Sequence, residues 1–272
     1  MKTFKQHTKD KKKKEEGSGI IPAPIHFKHI EPIDISTGKI PAAIHFKHVH
    51  DKKKEKLDEA KKKGLNQDHF QQWMADTSDN KHLSKLGDNN NRHTEISKKL
   101  DKTNKFSDNP EHAKAVFKYT TQSGPLNGAL IKGKNVKKHE AHAKSLDSAI
   151  DNNRIPHDVH VYSGTSFNPE KHMDENGRLH SPAYISATHS KRVAAGYAQS
   201  GGGSSYGRRH IVHIHLKKGD PASHVSRISE YGGEHETIIK RGTTLQHHGH
   251  EDHYDSNNEN WFRIHHMSIA KE

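Results

Sequence analysis

The spacing of apolar residues changes near Pro156, and that change limits the folds open to this chain. Upstream, apolar residues recur at helical intervals. Residues 111–121 (EHAKAVFKYTT) place Ala115, Val116 and Tyr119 on one stripe. Residues 125–130 (PLNGAL) begin a second short helix. Residues 139–150 (HEAHAKSLDSAI) align Ala143, Leu146 and Ile150. Downstream the period falls to two. Val159, Val161 and Ser163 alternate as in a strand, and residues 210–216 (HIVHIHL) supply a strong apolar strand. Shorter strands are predicted over 184–187, 236–240, 243–246 and 262–267, with a helix over 192–199 (RVAAGYAQ) between them. Helices first and several short strands afterwards predict an α+β fold.

The 272 residues allow one large domain or two modest ones. Only 29% are hydrophobic, too few for the whole length to share one well-packed core. Residues 1–19 are a Lys-rich polar tail, predicted to be disordered. Its charge resembles a signal n-region, but no apolar stretch follows, so no secretory signal is assigned. An internal repeat comes next: residues 21–30 (IPAPIHFKHI) return as 40–49 (IPAAIHFKHV), offset by 19. Two copies are too few for a solenoid, which needs ~3 or more. The repeat is either a duplicated extended segment that packs on the main domain or a docking motif. Residues 52–65 (KKKEKLDEAKKKGL) form a surface helix ending near Gly64, and Phe70, Trp73 and Met74 follow at helical spacing as core contacts. Residues 20–105 thus read as a repeat-containing, helical N-terminal region or lid, and 106–272 as the principal domain.

With no cysteine, disulfides and thiolate chemistry are excluded. No run approaches the ~20 apolar residues of a membrane span. The net charge of +12 favours solubility and weak attraction to polyanions. No RRM, KH or zinc-finger pattern is present, so direct nucleic-acid binding is not required. Most of the 28 histidines stand among polar neighbours and are expected to be exposed and neutral near pH 7.

Three segments carry the chemistry: 159–167 (VHVYSGTSF), 182–190 (PAYISATHS) and 228–243 (ISEYGGEHETIIKRGT). In the third, Glu234 and Glu236 are two residues apart, so an extended backbone would aim both carboxylates to one side. Gly232 and Gly233 supply a turn before them, and Thr237 to Ile239 run into a strand that holds Glu236. One acid suits stabilisation of a developing positive charge on a sugar. The other suits positioning a cationic nucleophile and accepting its proton. In the second segment, Ser186 and Thr188 can orient a carboxylate, while Ser190 is placed to cap the helix that follows. In the first, Gly164 would let a ligand approach the backbone, and Tyr162 packs in the core.

In this order the three segments resemble the arginine-directed mono-ADP-ribosyltransferase superfamily, with its Tyr-Arg-Gly strand, Ser-Thr-Ser strand and Glu-x-Glu loop. The likeness runs from about Pro110 to the C-terminus, and the wording is most similar to the enzymes of T-even-like bacteriophages. It implies a split β-sandwich with NAD in the cleft between two small sheets. It implies transfer of ADP-ribose from NAD to arginine side chains with release of nicotinamide. Glu236 matches the catalytic glutamate, which holds the nicotinamide-ribose 2′-hydroxyl and stabilises an oxocarbenium-like transition state. Glu234 matches the glutamate that positions the acceptor guanidinium, and Ser186 the serine that orients Glu236. Tyr162, Ser163, Gly164 and Thr188 fall at NAD-contacting positions, and Tyr231 in the turn that recognises the target. The resemblance further implies host proteins as targets, such as transcription or translation machinery, and a site of action in the bacterial host cytoplasm, reached by packaging in the virion and injection. The chain departs from the pattern twice. Ser163 stands where the NAD-contacting arginine is expected, leaving Arg192 or Arg154 as candidates for the phosphate, and Ala187 replaces the middle hydroxyl of the serine motif.

Two rivals belong to other classes. One is a non-catalytic binding module on the same fold. The other is a His-rich metal-binding protein using His213 and His215, or His247, His248, His250 and His253. Chance explains His-x-His in so histidine-rich a chain, and no metal ligand is assigned.

Overall fold

The computed structural model describes residues 58, 62, 69–84, 89–200, 209–258 and 260–271. The tail, the repeat and nearly all of the Lys-rich helix expected over 52–65 lie outside them; Asp58 and Lys62 are helical. Six α-helices and eight strands follow one another in the described residues: α1 His69–Ala75, α2 Asn89–Asp101, α3 Pro110–Thr121, α4 Ser123–Lys132, α5 Val136–Asn152, β1 Val159–Thr165, β2 Arg178–His180, β3 Ile185–Thr188, α6 Lys191–Ser200, β4 Arg209–Leu216, β5 Ala222–His224, β6 Glu236–Ile239, β7 Thr244–Asp255 and β8 Asn260–Ile269. No helix among them is long and apolar enough to cross a membrane. The order is α+β, as the change of period predicts.

Local chemistry sets the helix ends. The Asn109 side chain accepts hydrogen bonds from the Glu111 and His112 amides, and Pro110 occupies the first turn of α3. Gly133 ends α4 in the left-handed region, at φ 61°. Ser190 caps α6 through the Val193 amide, as its place in the sequence predicts. The inward stripes are those expected: Ala115, Val116 and Tyr119 on α3, and Ala143, Leu146 and Ile150 on α5, are buried. They meet Tyr184, Val225 and Ile238 in one apolar cluster.

The strands run in the order β2-β7-β8-β4-β1-β3-β6-β5. The two small sheets expected in the sequence are joined into one hydrogen-bonded sheet, but at a narrow waist. β1 pairs with β4 along seven residues, whereas it meets β3 at Tyr162 and Thr188 alone. Beyond that pair the backbones separate, and the Ser163 hydroxyl reaches across to the Ser186 carbonyl at 2.8 Å. Helix α6 enters behind this gap. A Cβ on Gly164 would lie 2.2 Å from the Ala194 carbonyl oxygen. The residue is therefore glycine because a helix backbone crosses it; the close approach expected of a ligand is made by α6.

Two features depart from expectation in kind. β7 is 12 residues long rather than the four predicted, because its second half (HHGHEDHYD) has no apolar alternation to read. The histidines are mostly not exposed. Among the described residues only His82, His157, His172, His180, His248 and His250 are exposed. Many of the others stack or pair: His160 with His215 at 4.2 Å between ring centroids, and His213 with His160 and His266 through ring nitrogens. A neutral imidazole carries one donor and one acceptor, so imidazoles can satisfy each other away from water. Burial lowers the pKa of His213 to about 3 and of His160 to about 4.

Helix α1 braces the waist from behind. Phe70 stacks on Phe262 at 3.9 Å and shares a core cluster with Tyr162 and Ile211. Lys191, 5% exposed, lies 2.9 Å from Asp79 and 5.0 Å from the Trp73 ring centroid. The Tyr162 hydroxyl donates to the same Asp79 carboxylate. Removing that carboxylate strands a buried ammonium, with Asp76 at 3.6 Å as its remaining acidic neighbour. Asp79→Ala should therefore lower unfolding free energy by about 3 kcal/mol in chemical denaturation. A loss below about 0.5 kcal/mol, the size of an ordinary surface change, would contradict the bracing role.

Candidate active site

The gap beyond the waist opens as a cleft of about 800 Å³, the size of a cofactor pocket. Ser163 and Gly164 of β1, Ser186 and Thr188 of β3, and Glu234 and Glu236 beyond them all line it. Residues from position 163 to position 236 are thus brought together.

Glu236 is the first residue of β6 and is 8% exposed. Thr188, its register partner on β3, holds the segment from the opposite strand. Burial raises the Glu236 pKa above the ordinary carboxylate value. Hydrogen bonds from Ser186 and Ser229 oppose the rise, and the neighbouring Glu234 charge adds to it. The Ser229 hydroxyl lies 3.3 Å from Oε2. Ser186 is itself oriented from helix α3. Asn127 Nδ2 donates to the Tyr119 oxygen at 3.1 Å, which leaves the phenol proton for Ser186 Oγ at 3.1 Å and the serine proton for Glu236. Burial pushes the Tyr119 pKa up to about 12, so this donor keeps its proton. Asn127 is fixed in turn by the Tyr184 backbone, whose amide and carbonyl both bond its side-chain amide. This second layer on α3 and α4 was not legible beforehand. Tyr119 and Asn127 carry no local signal beyond one inward helical position and one polar residue.

Glu234 is half-buried, and the Tyr197 hydroxyl of α6 donates to its Oε1 at 2.6 Å. The backbone between the two acids is not extended, contrary to expectation. Gly232–Glu234 forms a 3₁₀ turn, and His235 takes φ 54°, ψ 45°. Left-handed geometry at a non-glycine residue needs support. The His235 ring nitrogen Nδ1 pairs with Ser97 Oγ at 3.0 Å, and the ring packs against His93 and His189. Thr188 Oγ1 donates to the Glu234 carbonyl at 2.6 Å and so fixes the same turn. Both carboxylates reach the cleft, but a kinked turn brings them there instead of the two-residue period of a strand.

The remaining predicted residues divide. Thr188 works through the Glu234 backbone. Tyr162 reaches the cleft wall, but its side chain is engaged with Asp79 behind the sheet and stacks on His213. The side chain packs in the core, as the reading of the residues expected, and Tyr162 also lines the cleft. Tyr231, 52% exposed, stands at the rim with Tyr197, Phe167 and Ile131, which are also exposed. Neither candidate for the missing arginine lines the cleft. Arg154 pairs with Asp151 at 2.8 Å, and Arg192 is exposed on the first turn of α6. Among the described lining residues there is no lysine or arginine; the groups able to carry positive charge are His172 and His180.

The family model for ADP-ribosyltransferase exoenzymes matches residues 71–265. No curated protein sequence matches the chain. Solved structures share the fold at low identity. Plx2a, an ADP-ribosyltransferase toxin from Paenibacillus larvae, has a TM-score of 0.54 and 17% identity, over 67% of this chain and 96% of that one. C3stau2 from S. aureus, solved with NAD, has a TM-score of 0.50 and 17% identity, over 68% of this chain and 97% of that one. The ADP-ribosylating toxin BECa of C. perfringens, solved with NADH, has a TM-score of 0.52 and 17% identity, over 65% of this chain and 48% of that one. The family match spans well over half of the sequence and contains all three chemical segments, so the chain belongs to the ADP-ribosyltransferase exoenzyme family, whose substrate is NAD.

Proposed function

We propose that the cleft catalyses mono-ADP-ribosylation of arginine side chains. The observation that carries this reading is the second acid. Glu236 is the buried carboxylate, suited to face the ribose as the bond from C1′ to the nicotinamide nitrogen breaks. In that low-dielectric setting its charge stabilises an oxocarbenium-like centre more strongly than it could in water. Nicotinamide leaves with the bonding electrons as a neutral molecule. Glu234 lies nearer the mouth, held by Tyr197, where an incoming guanidinium would meet a carboxylate. That carboxylate orients the cation and takes the proton lost when a guanidinium nitrogen bonds to C1′. One structure of the neighbouring toxin Vis contains agmatine, a guanidinium compound; it has a TM-score of 0.50 and 14% identity.

Tyr231 and the exposed side chains around it offer the rim on which a target protein would dock. The acceptor is a protein of a bacterial host, a reading supported by the phage-like wording of the three segments. The net charge of +12 favours approach to polyanionic transcription or translation assemblies in the host cytoplasm. His172 and His180 take over the pyrophosphate contact that Ser163 cannot make.

The central test incubates the full chain with labelled NAD and a bacterial lysate, and separately with NAD alone. Labelled protein bands should vanish in Glu236→Gln. Glu234→Gln should suppress arginine labelling by more than about a hundredfold while sparing most NAD hydrolysis, as expected for loss of one positioned general base. Equal loss of both reactions would sink the role given to Glu234, and no labelling or hydrolysis at any dose would favour the binding module.

His172→Ala and His180→Ala should raise KM for NAD several-fold, roughly 1 kcal/mol each, with kcat little changed. Unchanged KM in both would remove the histidines from the phosphate site.

Glu236→Gln also has a stability signature. The folded carboxyl has a raised pKa, so the folded state binds its proton more tightly than the unfolded chain does. Wild-type stability therefore falls as pH rises from the unfolded value of about 4.5 through the folded one. At pH 7 the neutral amide should therefore be more stable than wild type. The difference should close below about pH 4.5, and a pH-independent difference in thermal melts would show that burial of charge is not its cause.

A further inference from the structure

The sequence run His247, His248, His250, His253 is sorted by a defect in strand β7. On a regular strand, residues three apart face opposite sides. Here the β7–β8 register passes from His247 opposite Met267 to Gly249 opposite His266, leaving His248 as the extra residue of a bulge. Gly249 takes φ 133° at this point. The extra residue resets the alternation, so His247 and His250 face the same side. That is also the side of His265, the register partner of His250 on β8. Glu170, in the 3₁₀ turn Pro169–His172, closes the group from beyond β1. Each of these four residues puts one donor atom within 4.8 Å of the other three. His248 turns away to Ser268, and His253 pairs with Glu251.

Two of the donors have no other employment. His247 Nε2 and His265 Nδ1 are buried without a hydrogen-bond partner, an arrangement that costs free energy unless something else satisfies them. His265 is fully buried, and its Nε2 lies 2.9 Å from His210 Nδ1. With the proton on Nε2 for that contact, the Nδ1 lone pair points into the group. Glu170 is prepared likewise. Arg263 holds its Oε2 at 3.1 Å and is itself held by Asp252 at 2.8 Å, leaving Oε1 toward the histidines. His250 Nδ1 lies 2.7 Å from Oε1, and His265 Nδ1 lies 3.7 Å from it. Tetrahedral zinc with bonds of ~2.0–2.1 Å sets its donors about 3.4 Å apart, between those two distances.

We propose that Glu170, His247, His250 and His265 bind one zinc ion as a closed structural site. Three imidazoles and a carboxylate fill a tetrahedron and leave no open position for water, so the ion is a clasp and not a catalyst. The contacts from His210 and Arg263 are the outer hydrogen bonds that fix ligand tautomer and orientation at such sites. The clasp joins the turn bearing Glu170 to the β7–β8 pair. The same turn carries His172, and Phe167 lies just before it, so the ion would stiffen one wall of the NAD cleft.

The test uses the full chain without a histidine tag, dialysed against a weak chelator so that loosely held ions leave the other histidines. Elemental analysis should then find one zinc per chain. Cobalt(II) loaded in its place should show the intense visible absorption of a tetrahedral site. Glu170→Gln and His250→Ala, whose side chains are partly exposed and whose folding circular dichroism can verify, should each weaken zinc binding by more than about tenfold and abolish the zinc-dependent rise in melting temperature. His248→Ala should keep both. Loss of zinc to the weak chelator, an octahedral cobalt spectrum, or zinc retained equally by Glu170→Gln and His250→Ala would overturn the proposal. None of these readouts depends on transferase activity.

Discussion

One backbone pair, Tyr162 with Thr188, joins the two parts of the sheet, and both sides of the active cleft are anchored to it. Behind the sheet, the Tyr162 hydroxyl meets Asp79, which holds the buried Lys191 at the start of α6. In front, the Thr188 hydroxyl holds the Glu234 carbonyl, and the Thr188 backbone faces Glu236 across the β3–β6 ladder. The β1–β3 pairing does not continue beyond this pair, so the opening of the cleft lies beside a point held from both faces of the sheet. A site that must hold its reacting groups within about half an ångström gains from that arrangement. Opening a cleft by ending a hydrogen-bond ladder exposes peptide groups, and the hydroxyl of Ser163 satisfies one of them, the Ser186 carbonyl.

The substitution of serine for the expected arginine takes on meaning in this setting. A long cationic side chain at 163 would reach into the cleft toward phosphate. Serine instead ties the two sheet edges together where the backbone ladder has ended. The cleft thereby loses a fixed positive charge, and its lining presents two carboxylates with histidines as the counterweight. A guanidinium approaching this mouth meets no fixed cation among the described lining residues, whereas a dinucleotide must rely on hydroxyls, stacking and imidazoles.

How much of this could be read from residues alone follows from what each signal depends on. The helices on either side of the cleft announced themselves because their apolar stripes are local and periodic. Strands β1, β3, β4 and β6 were legible for the same reason. β2 and β5, three residues each, are too short to show a period, and they exist because β7 and β6 offer them edges. The second half of β7 is polar in composition, and its hydrogen bonds to β8 make it a strand. The two acids were found by type and spacing, but the route to their common face was misjudged. Nothing in Glu-His-Glu reveals a left-handed histidine supported by Ser97, which lies 138 positions away. Gly164 shows the same limit: the sequence says that something comes close, and only the packing says that it is a helix. The histidines were misread because polarity was taken as exposure, whereas stacked imidazoles behave as moderately apolar, mutually bonded core residues once burial has kept them neutral.

On the proposed reading, the environments of the two acids separate their work more clearly than their spacing does. Like-charged neighbours on a shared wall would raise each other's pKa and compete for one proton unless their surroundings differed. Glu236 lies deep, with hydroxyls from Ser186 and Ser229 aimed at it and a chain of protonated donors, Tyr119 and Asn127, behind the first of these. Those donors favour the ionised form against the pull of burial, which is the condition for a carboxylate that must stay charged to meet a cationic sugar. Glu234 is closer to water and has one fixed partner, the Tyr197 hydroxyl. It can therefore exchange a proton with solvent after each turnover, a task that a buried, four-residue relay would slow. On the proposed reading, the division into a stabiliser that must not be protonated and a base that must be matches these differences in burial and hydrogen bonding, and exchanging the two environments would defeat both roles.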